Sequence, residues 1–283
     1  MLKRIVIYLF LISCISVSCL TLVFAAGVNY PENEIKEHDS TSFEWGPSLL
    51  FLRMNHYRGS NQYMNKVIPF PYFCYESKHV EAEPSYVRGT IFENNYFSLK
   101  ISVMAGLSVD STENAAREDM PDLDYLFEIG PMLILKLWES DNNIHRVTLE
   151  SPFRRVFSTN FTSVDQVGWW SVPYINYRIN PNKYTLGIGA DLSAAAMFAD
   201  NGYHDYFYSV DREYATNERA EYDAVGGYSG VQLCMVLERR IGNFIFIPVV
   251  RYDYLKRAVF EDSPLVKTKS YFAFLLAGIY LVK

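Results

Sequence analysis

Between residues 183 and 199 apolar side chains alternate with small or polar ones at a period of two. Tyr184, Leu186, Ile188, Ala190, Leu192, Ala194, Ala196 and Phe198 fall on one face of a ribbon. Thr185, Gly187, Gly189, Asp191 and Ser193 fall on the other. The stretch is long for a soluble strand, typically about 5–6 residues, and suits a tilted strand crossing a bilayer, which needs roughly 9–11. Taken alone, it fits a membrane barrel wall or a soluble barrel or sandwich equally well.

Strand-like segments follow at about 44–53, 66–76, 85–94, 96–106, 124–138, 145–157, 169–179, 226–239, 243–254 and 270–282. Phe97, Leu99, Ile101 and Val103 against Ser98, Lys100 and Ser102 repeat the same alternation cleanly. There is no internal repeat, low-complexity tract, domain linker or convincing amphipathic helix. From residue 94 onward the connections alternate in length. Those at 94–95, 139–144, 180–182 and 240–242 are short and rich in Asn, Gly or Pro. Those at 107–123, 158–168, 200–225 and 255–269 are long. Outer-membrane barrels have short periplasmic turns and long external loops, and a soluble sandwich has no reason to sort its loops this way. With the end of the last strand in the periplasm, all four long loops fall outside.

The expectation is therefore an all-β chain, a transmembrane antiparallel up-and-down outer-membrane β-barrel. Eleven strand segments are visible, and barrels of this kind close on an even number. Twelve strands are expected, with a short one hidden in 77–83; ten is the alternative if 44–53 does not span.

The N-terminus supports export. Lys3 and Arg4 precede an apolar run from Ile5 to Leu22, and Val23-Phe24-Ala25 offers a small-residue cleavage pattern, so 1–25 reads as a signal peptide. An uncleaved anchor, or lipidation at Cys14 or Cys19, is the alternative. Residues 26–42 are polar and read as a flexible periplasmic tail, acidic on balance, and 43–283 as the barrel. No later run of about 18 apolar residues offers a transmembrane helix. The reading is a protein of the outer membrane of a Gram-negative bacterium after signal-peptide cleavage.

Composition narrows the partners. Removing Lys3 and Arg4 leaves 24 of the 26 basic residues against 32 acidic ones, a charge of −8. That argues against nucleic acid. Cys74 and Cys234, far apart in apolar strands, form no disulfide framework and read as small buried hydrophobes. Aromatic residues make up 16 %, including 22 tyrosines, as interfacial girdles would need. Trp138, Trp169 and Trp170 near strand ends read as interfacial anchors.

Ten charges, Lys100, Glu128, Lys136, Arg146, Glu150, Arg178, Asp191, Glu238, Arg251 and Asp253, lie on the less apolar face of their strands. A cation facing lipid at mid-bilayer costs about 2–4 kcal/mol, so these should face the lumen. Five are positive and five negative, as a paired network filling the interior requires. In the long loops Tyr203, His204, Asp205, Tyr206, Tyr208, Asp223 and Asp262 are candidates for an external recognition surface, or else pack loop on loop as a cap. Ser263 with these acids and His204 admits a hydrolase at the rim, but no motif fixes a nucleophile, base and orienting group. Neither metal-ligand spacing nor a cofactor motif is present.

Five segments carry a family resemblance: Val87-Arg88-Gly89-Thr90-Ile91-Phe92-Glu93, Pro121-Asp122-Leu123-Asp124-Tyr125-Leu126-Phe127-Glu128-Ile129-Gly130-Pro131, Tyr203-His204-Asp205-Tyr206-Phe207-Tyr208-Ser209-Val210, Tyr222-Asp223-Ala224-Val225-Gly226-Gly227-Tyr228 and Phe260-Glu261-Asp262-Ser263-Pro264-Leu265-Val266. Together, and in this order, they resemble the MipA/OmpV family of MltA-interacting outer-membrane proteins. The resemblance implies a non-enzymatic barrel in outer-membrane lipid. It would serve as a scaffold for peptidoglycan-remodelling enzymes, with a periplasmic lytic transglycosylase and a peptidoglycan synthase as partners. The alternatives are a narrow porin or permeability-modulating channel and, more distantly, the rim-sited hydrolase. One departure stands out: such barrels commonly end on an aromatic residue, whereas this chain ends Tyr280-Leu281-Val282-Lys283.

Overall fold

The computed structural model describes residues 41–83 and 86–282. The expected signal peptide and nearly all of the tail lie outside the described residues. Thirteen strand segments follow: β1 Ser42–Asn55, β2 Tyr63–Glu76, β3 Val80–Glu83, β4 Tyr86–Glu93, β5 Phe97–Gly106, β6 Tyr125–Glu139, β7 His145–Thr159, β8 Val164–Ser171, β9 Tyr174–Ile179, β10 Ile188–Ala199, β11 Gly227–Ile241, β12 Phe244–Tyr254 and β13 Ser270–Tyr280. Each pairs antiparallel with its neighbours, and β1 pairs with β13, so the sheet closes on itself. β8 and β9 are one wall strand in two pieces, both lying between β7 and β10. Their break falls at Val172-Pro173, opposite Ser151-Pro152 of β7. A proline has no N–H to give the ladder, so pairing lapses there. Counting β8 and β9 once, the barrel has twelve strands.

The hidden strand is β3. It has four residues, three of them polar or small, and so shows no alternation; its pairing with β4 from Val80↔Gly89 to Glu83↔Tyr86 creates it. β10 starts later than its alternation suggests. The Asn182 side chain accepts from the Tyr184 and Thr185 amides and turns the chain, with Leu186 and Gly187 in the left-handed region. Local side-chain bonds of this kind compete with a ladder. The connection after β7 is also shorter than expected, residues 160–163, because β7 and β8 pair as far as Thr159↔Val164.

The two faces separate sharply. In β1 Leu50 and Leu52 are fully buried while Leu49 and Phe51 are 54 % and 43 % exposed. In β13 Ala273, Leu275 and Ala277 are buried while Phe272, Phe274 and Leu276 are exposed. Exposed apolar rows on successive strands form a band suited to lipid. No helix among the described residues is long and apolar enough to cross a membrane, which leaves the strands to do so.

Connections gather at two ends. One end carries the turns 77–79, 94–96, 140–144, 180–187 and 242–243, together with the start of β1 and the end of β13. The other carries the loops 56–62, 107–124, 160–163, 200–226 and 255–269. One helix, α1 (Asn201–Tyr208), lies in the longest loop, unforeseen in the sequence. Its start is set by Asp200, whose carboxylate accepts from the Tyr203 amide at 2.9 Å. Gly168 makes room for this cap: a Cβ there would fall 2.3 Å from the Asp200 carboxylate.

Candidate functional site

Inside the barrel, burial leaves charged side chains only one stable option, which is a partner. Lys100 of β5 reaches Glu81 of β3. Arg154 of β7 approaches Glu128 of β6 at 3.5 Å and Ser102 at 3.1 Å, while the Trp170 indole donates to the same carboxylate at 3.0 Å. Glu150 accepts from Thr148 and from the Tyr174 hydroxyl. Arg178 meets Asp191 at 3.3 Å, and Asn176 donates to that carboxylate at 3.0 Å. Nearer the long loops Asp253 lies between Arg251 at 2.6 Å and Arg58 at 3.0 Å.

Of the ten charges expected in the lumen, Lys100, Glu128, Glu150, Arg178, Asp191, Arg251 and Asp253 join these pairs, and Glu238 lies half-buried on β11 beside Arg178 and Asp191. Lys136 and Arg146 do not. They sit at the short-turn rim, partly exposed, paired with Glu93 and Glu139. β6 runs past the last β5 pair at Leu135, which leaves Lys136 beyond it, whereas Arg146 stands opposite the lumen residue Arg178 and within reach of the Asp191 charge. Trp170 also departs from expectation: it is a buried lumen residue, whereas Trp138 and Trp169 keep the outer face. Arg154 is a lumen charge missing from the expected ten, yet its parity with Glu150 marks it as inward; Arg155 points out, over the Trp169 ring. Arg58, in a loop, carries no such signal.

Four loops knit into one cap. The Tyr57 hydroxyl donates to Leu265 O at 2.7 Å, Tyr208 to Arg58 O at 3.0 Å, and the Lys267 and Thr268 amides to Gly59 O. Asn114 donates to His56 Nδ1 and Ser60 Oγ. Arg117 donates to Pro121 O and Phe207 O, and Arg219 to Ala116 O, Glu118 O and Tyr214 O. Under the cap Tyr203 stacks on Trp170 and Tyr208 on Phe260. Burial pushes the Tyr206 hydroxyl up to about 12, and it receives the Asp124 amide at 2.7 Å.

Among the loop residues expected to form a recognition surface, Tyr203, His204 and Tyr208 are buried in this cap, so they face the barrel and not the outside. Tyr206 is half-buried, and Asp205, Asp223 and Asp262 are exposed or nearly so. α1 explains the split, since its i, i+4 spacing turns His204 and Tyr208 inward together.

His204 has chemistry of its own. Its Nδ1 lies 2.7 Å from Val225 O, an acceptor only, so Nδ1 carries the proton. Nε2 is then free to accept from Ser229 Oγ at 2.7 Å. A hydroxyl donating to a histidine matches the first element of a nucleophile. Both side chains are fully buried under Phe260 and Tyr208, and no carboxylate orients the ring. Ser263, the sequence candidate, donates instead to Tyr208 O and fixes a turn. Burial pushes His204 and His56 below the ordinary histidine range, so both hold loop contacts as neutral rings.

Beneath the cap a cavity lined by Arg58, Met104, Glu128, Trp170, Tyr203 and Arg251, among others, leaves about 40 Å³ reachable by water. At roughly 10–15 Å³ per water this is room for a few molecules, not for a continuous channel. Among the described residues the free cysteines lie in the wall, Cys234 buried and Cys74 partly so.

A closed twelve-strand barrel with an apolar outer band, paired charges inside and long loops at one end is an outer-membrane β-barrel protein. The family model described as MltA-interacting protein MipA matches residues 49–282, and the chain belongs to that family. No curated protein matches. Among solved structures the NanC porin aligns at 7 % identity over 85 % of this chain and 98 % of its own, TM-score 0.37. A FadL homologue from Pseudomonas aeruginosa aligns at 9 % identity, over 85 % and 89 %, TM-score 0.27. Ail of Yersinia pestis aligns at 9 % identity, over 86 % and 97 %, TM-score 0.17. None of the three superposes closely enough to bear on function.

Proposed function

We propose that the protein is a non-enzymatic barrel that scaffolds cell-wall machinery at the inner face of the outer membrane, holding a lytic transglycosylase of the MltA type and a peptidoglycan synthase. The observation that carries this reading is an interior of paired charges under a knitted cap, with room for only a few waters in the cavity beneath that cap. Such a barrel offers its ends, and not a pore. The buried Ser229–His204 pair, out of reach of any substrate, supports a role without catalysis. With the capped loops outside, the short turns face the periplasm. Of these the 180–187 turn projects the most apolar surface, with Tyr184 79 % and Leu186 72 % exposed. Exposed apolar side chains on a protruding turn suit a protein contact.

The test is affinity capture from solubilised envelopes with the full chain. Capture of a lytic transglycosylase by the unmodified protein, reduced at least severalfold by Tyr184→Ala with Leu186→Ala, is the expected result. Equal capture by a correctly assembled double variant would move the contact elsewhere, and absence of any cell-wall enzyme would remove the scaffold reading.

A further inference from the structure

The barrel wall is not equally tall all round. β3 reaches β2 only at Tyr75 and Glu76, and β4 reaches β5 no higher than Val87↔Val103. Above that level, residues 63–74 of β2 are paired with β1 on one side. Among the described residues no backbone hydrogen bond reaches them from the other side. The gap has a top as well. Loop 107–124, leaving β5, is tied to loop 56–62 above β2 through Asn114 with His56 and Ser60, and through the Ala115 amide with Gln62. The result is a window in the wall, bounded by β2, β5, the short β3–β4 hairpin and a loop.

An open edge at this depth is a liability, because unpaired backbone groups facing hydrocarbon cost several kcal/mol each and invite a second strand. The sequence of the edge answers both problems. Pro69 and Pro71 stand opposite Leu49 and Pro47, and neither can donate to any ladder. Antiparallel bonds alternate in direction, so residues two apart point their backbone the same way. A β1–β2 ladder that stays continuous must therefore turn 69 and 71 away from β1, toward the window. Two donors are thus removed from the middle of the edge, and strand addition is blocked there.

What remains at the rim is apolar, with one exception. Val67, Pro69 and Pro71 are exposed on the outside, and Ile68 and Phe70 line the inside. Lys66 stands opposite Leu52, a fully buried inward residue, so it shares the inward face; yet Lys66 itself is exposed. Among the described residues no carboxylate lies within ion-pair distance of it. It stands near the long-loop end of β2, which begins at Tyr63, at the depth of lipid headgroups.

We propose that this window is a lateral binding site for an anionic amphiphile drawn from the bilayer, with its acyl chain along Val67, Ile68, Pro69 and Phe70 and its acidic head at Lys66. The ligand chemistry is a carboxylate or phosphate on an acyl chain. Fatty acids and anionic phospholipids both supply it.

The test uses the full chain refolded into neutral phosphatidylcholine vesicles, with folding checked by its heat-modifiable mobility, and cis-parinaric acid as a fluorescent probe. Saturable binding is expected, weakened about tenfold by Lys66→Glu, since losing one lysine–anion contact and adding a repulsion is worth about 1.4 kcal/mol. Ile68→Trp should lower occupancy by filling the window, and Leu192→Trp on the outer face of β10 should leave it unchanged. The corresponding parinaryl alcohol should bind with no response to Lys66→Glu. Competition by oleate alone assigns a carboxylate head, and competition by phosphatidylglycerol a phosphate one; either supports the site. Lack of saturable binding by the folded protein, or equal affinity in Lys66→Glu, would overturn it. So would efficient disulfide-linked dimers of Pro71→Cys in a chain lacking Cys74 and Cys234, which would give the edge to a second copy.

Discussion

The two halves of the lumen are filled by different means. Along β11–β13, β1 and β2 the inward row is mainly apolar, with Leu50, Leu52, Ile245, Ile247, Leu275 and Ile279 all buried and the Arg58–Asp253–Arg251 cluster set among them near the long loops. Along β3–β10 ion pairs and polar contacts, Lys100–Glu81, Arg154–Glu128, Glu150–Tyr174 and Arg178–Asp191, follow one another round the wall, interleaved with buried apolar residues such as Met132, Ile134, Val156 and Met197. The outward rows of both halves are alike, since both meet lipid. The outer face of a membrane barrel is dictated by its solvent, while the inner face has only to be complete. An interior of hydrocarbon is complete when it is packed, and an interior of charges when each has its partner.

That difference predicts how each half should fail. The largest effect belongs to Asp253, an anion set among the apolar rows, which compensates both Arg58 and Arg251 in near-complete burial. Asp253→Ala should cost about 3–5 kcal/mol, because it leaves two buried cations without their anion. Urea unfolding from lipid vesicles measures this, and a loss below about 1 kcal/mol would mean that water reaches the pair. At the apolar positions the cost should follow volume instead. Leu275→Ala should lose about 2–4 kcal/mol and Leu275→Met under about 1.5 kcal/mol by the same measurement. Equal costs for the two would blur the contrast between the halves.

A smaller effect concerns the cap. His204 and His56 are neutral in the folded protein, and their folded pKa values lie below the ordinary 6.5. The unfolded loop binds protons first as pH falls, so cap stability is full above about pH 6.5 and declines below it until the folded rings protonate. Amide exchange in loops 56–62 and 200–226 should accelerate at pH 5 relative to pH 7.5, and His204→Gln should flatten that dependence. The smallest effect is at the short-turn rim. Lys136–Glu93, Arg146–Glu139 and Arg240–Glu44 are exposed pairs. Breaking any one should cost less than about 1 kcal/mol and vanish in high salt.

The same contrast governs what the sequence made legible. β5 and β10 announce themselves because lipid outside and polar groups inside alternate, as Leu99 and Lys100 do. β12 and β13 lie in the apolar half, where Phe246, Ile247, Phe274 and Leu275 are apolar on both faces. Their length and turns identify them as strands, but nothing local says which face is inward. β3 was inferable from parity alone, since four residues are too few to show a period. The lumen charges on strands could be placed by counting in twos; Lys136 lies at the rim because β6 outruns β5, and Arg146, opposite Arg178, is drawn to Glu139 at the same rim. The cap was illegible for a different reason. Arg117 and Arg219 are bound largely by backbone carbonyls, which every residue type supplies equally, and Arg58 reaches a strand carboxylate from a loop without any local pattern. The window was illegible too, since a missing neighbour leaves no mark on a strand except the prolines it tolerates.

Paired charges and packed side chains together should leave no open channel through the barrel. Planar-bilayer recording of the purified protein tests this most directly. Little or no steady conductance is expected, with a leak appearing when Arg178 and Arg251 are replaced by alanine and Asp191 and Asp253 lose these partners. A large, stable conductance in the unmodified protein would contradict the filled lumen and make the barrel a porin.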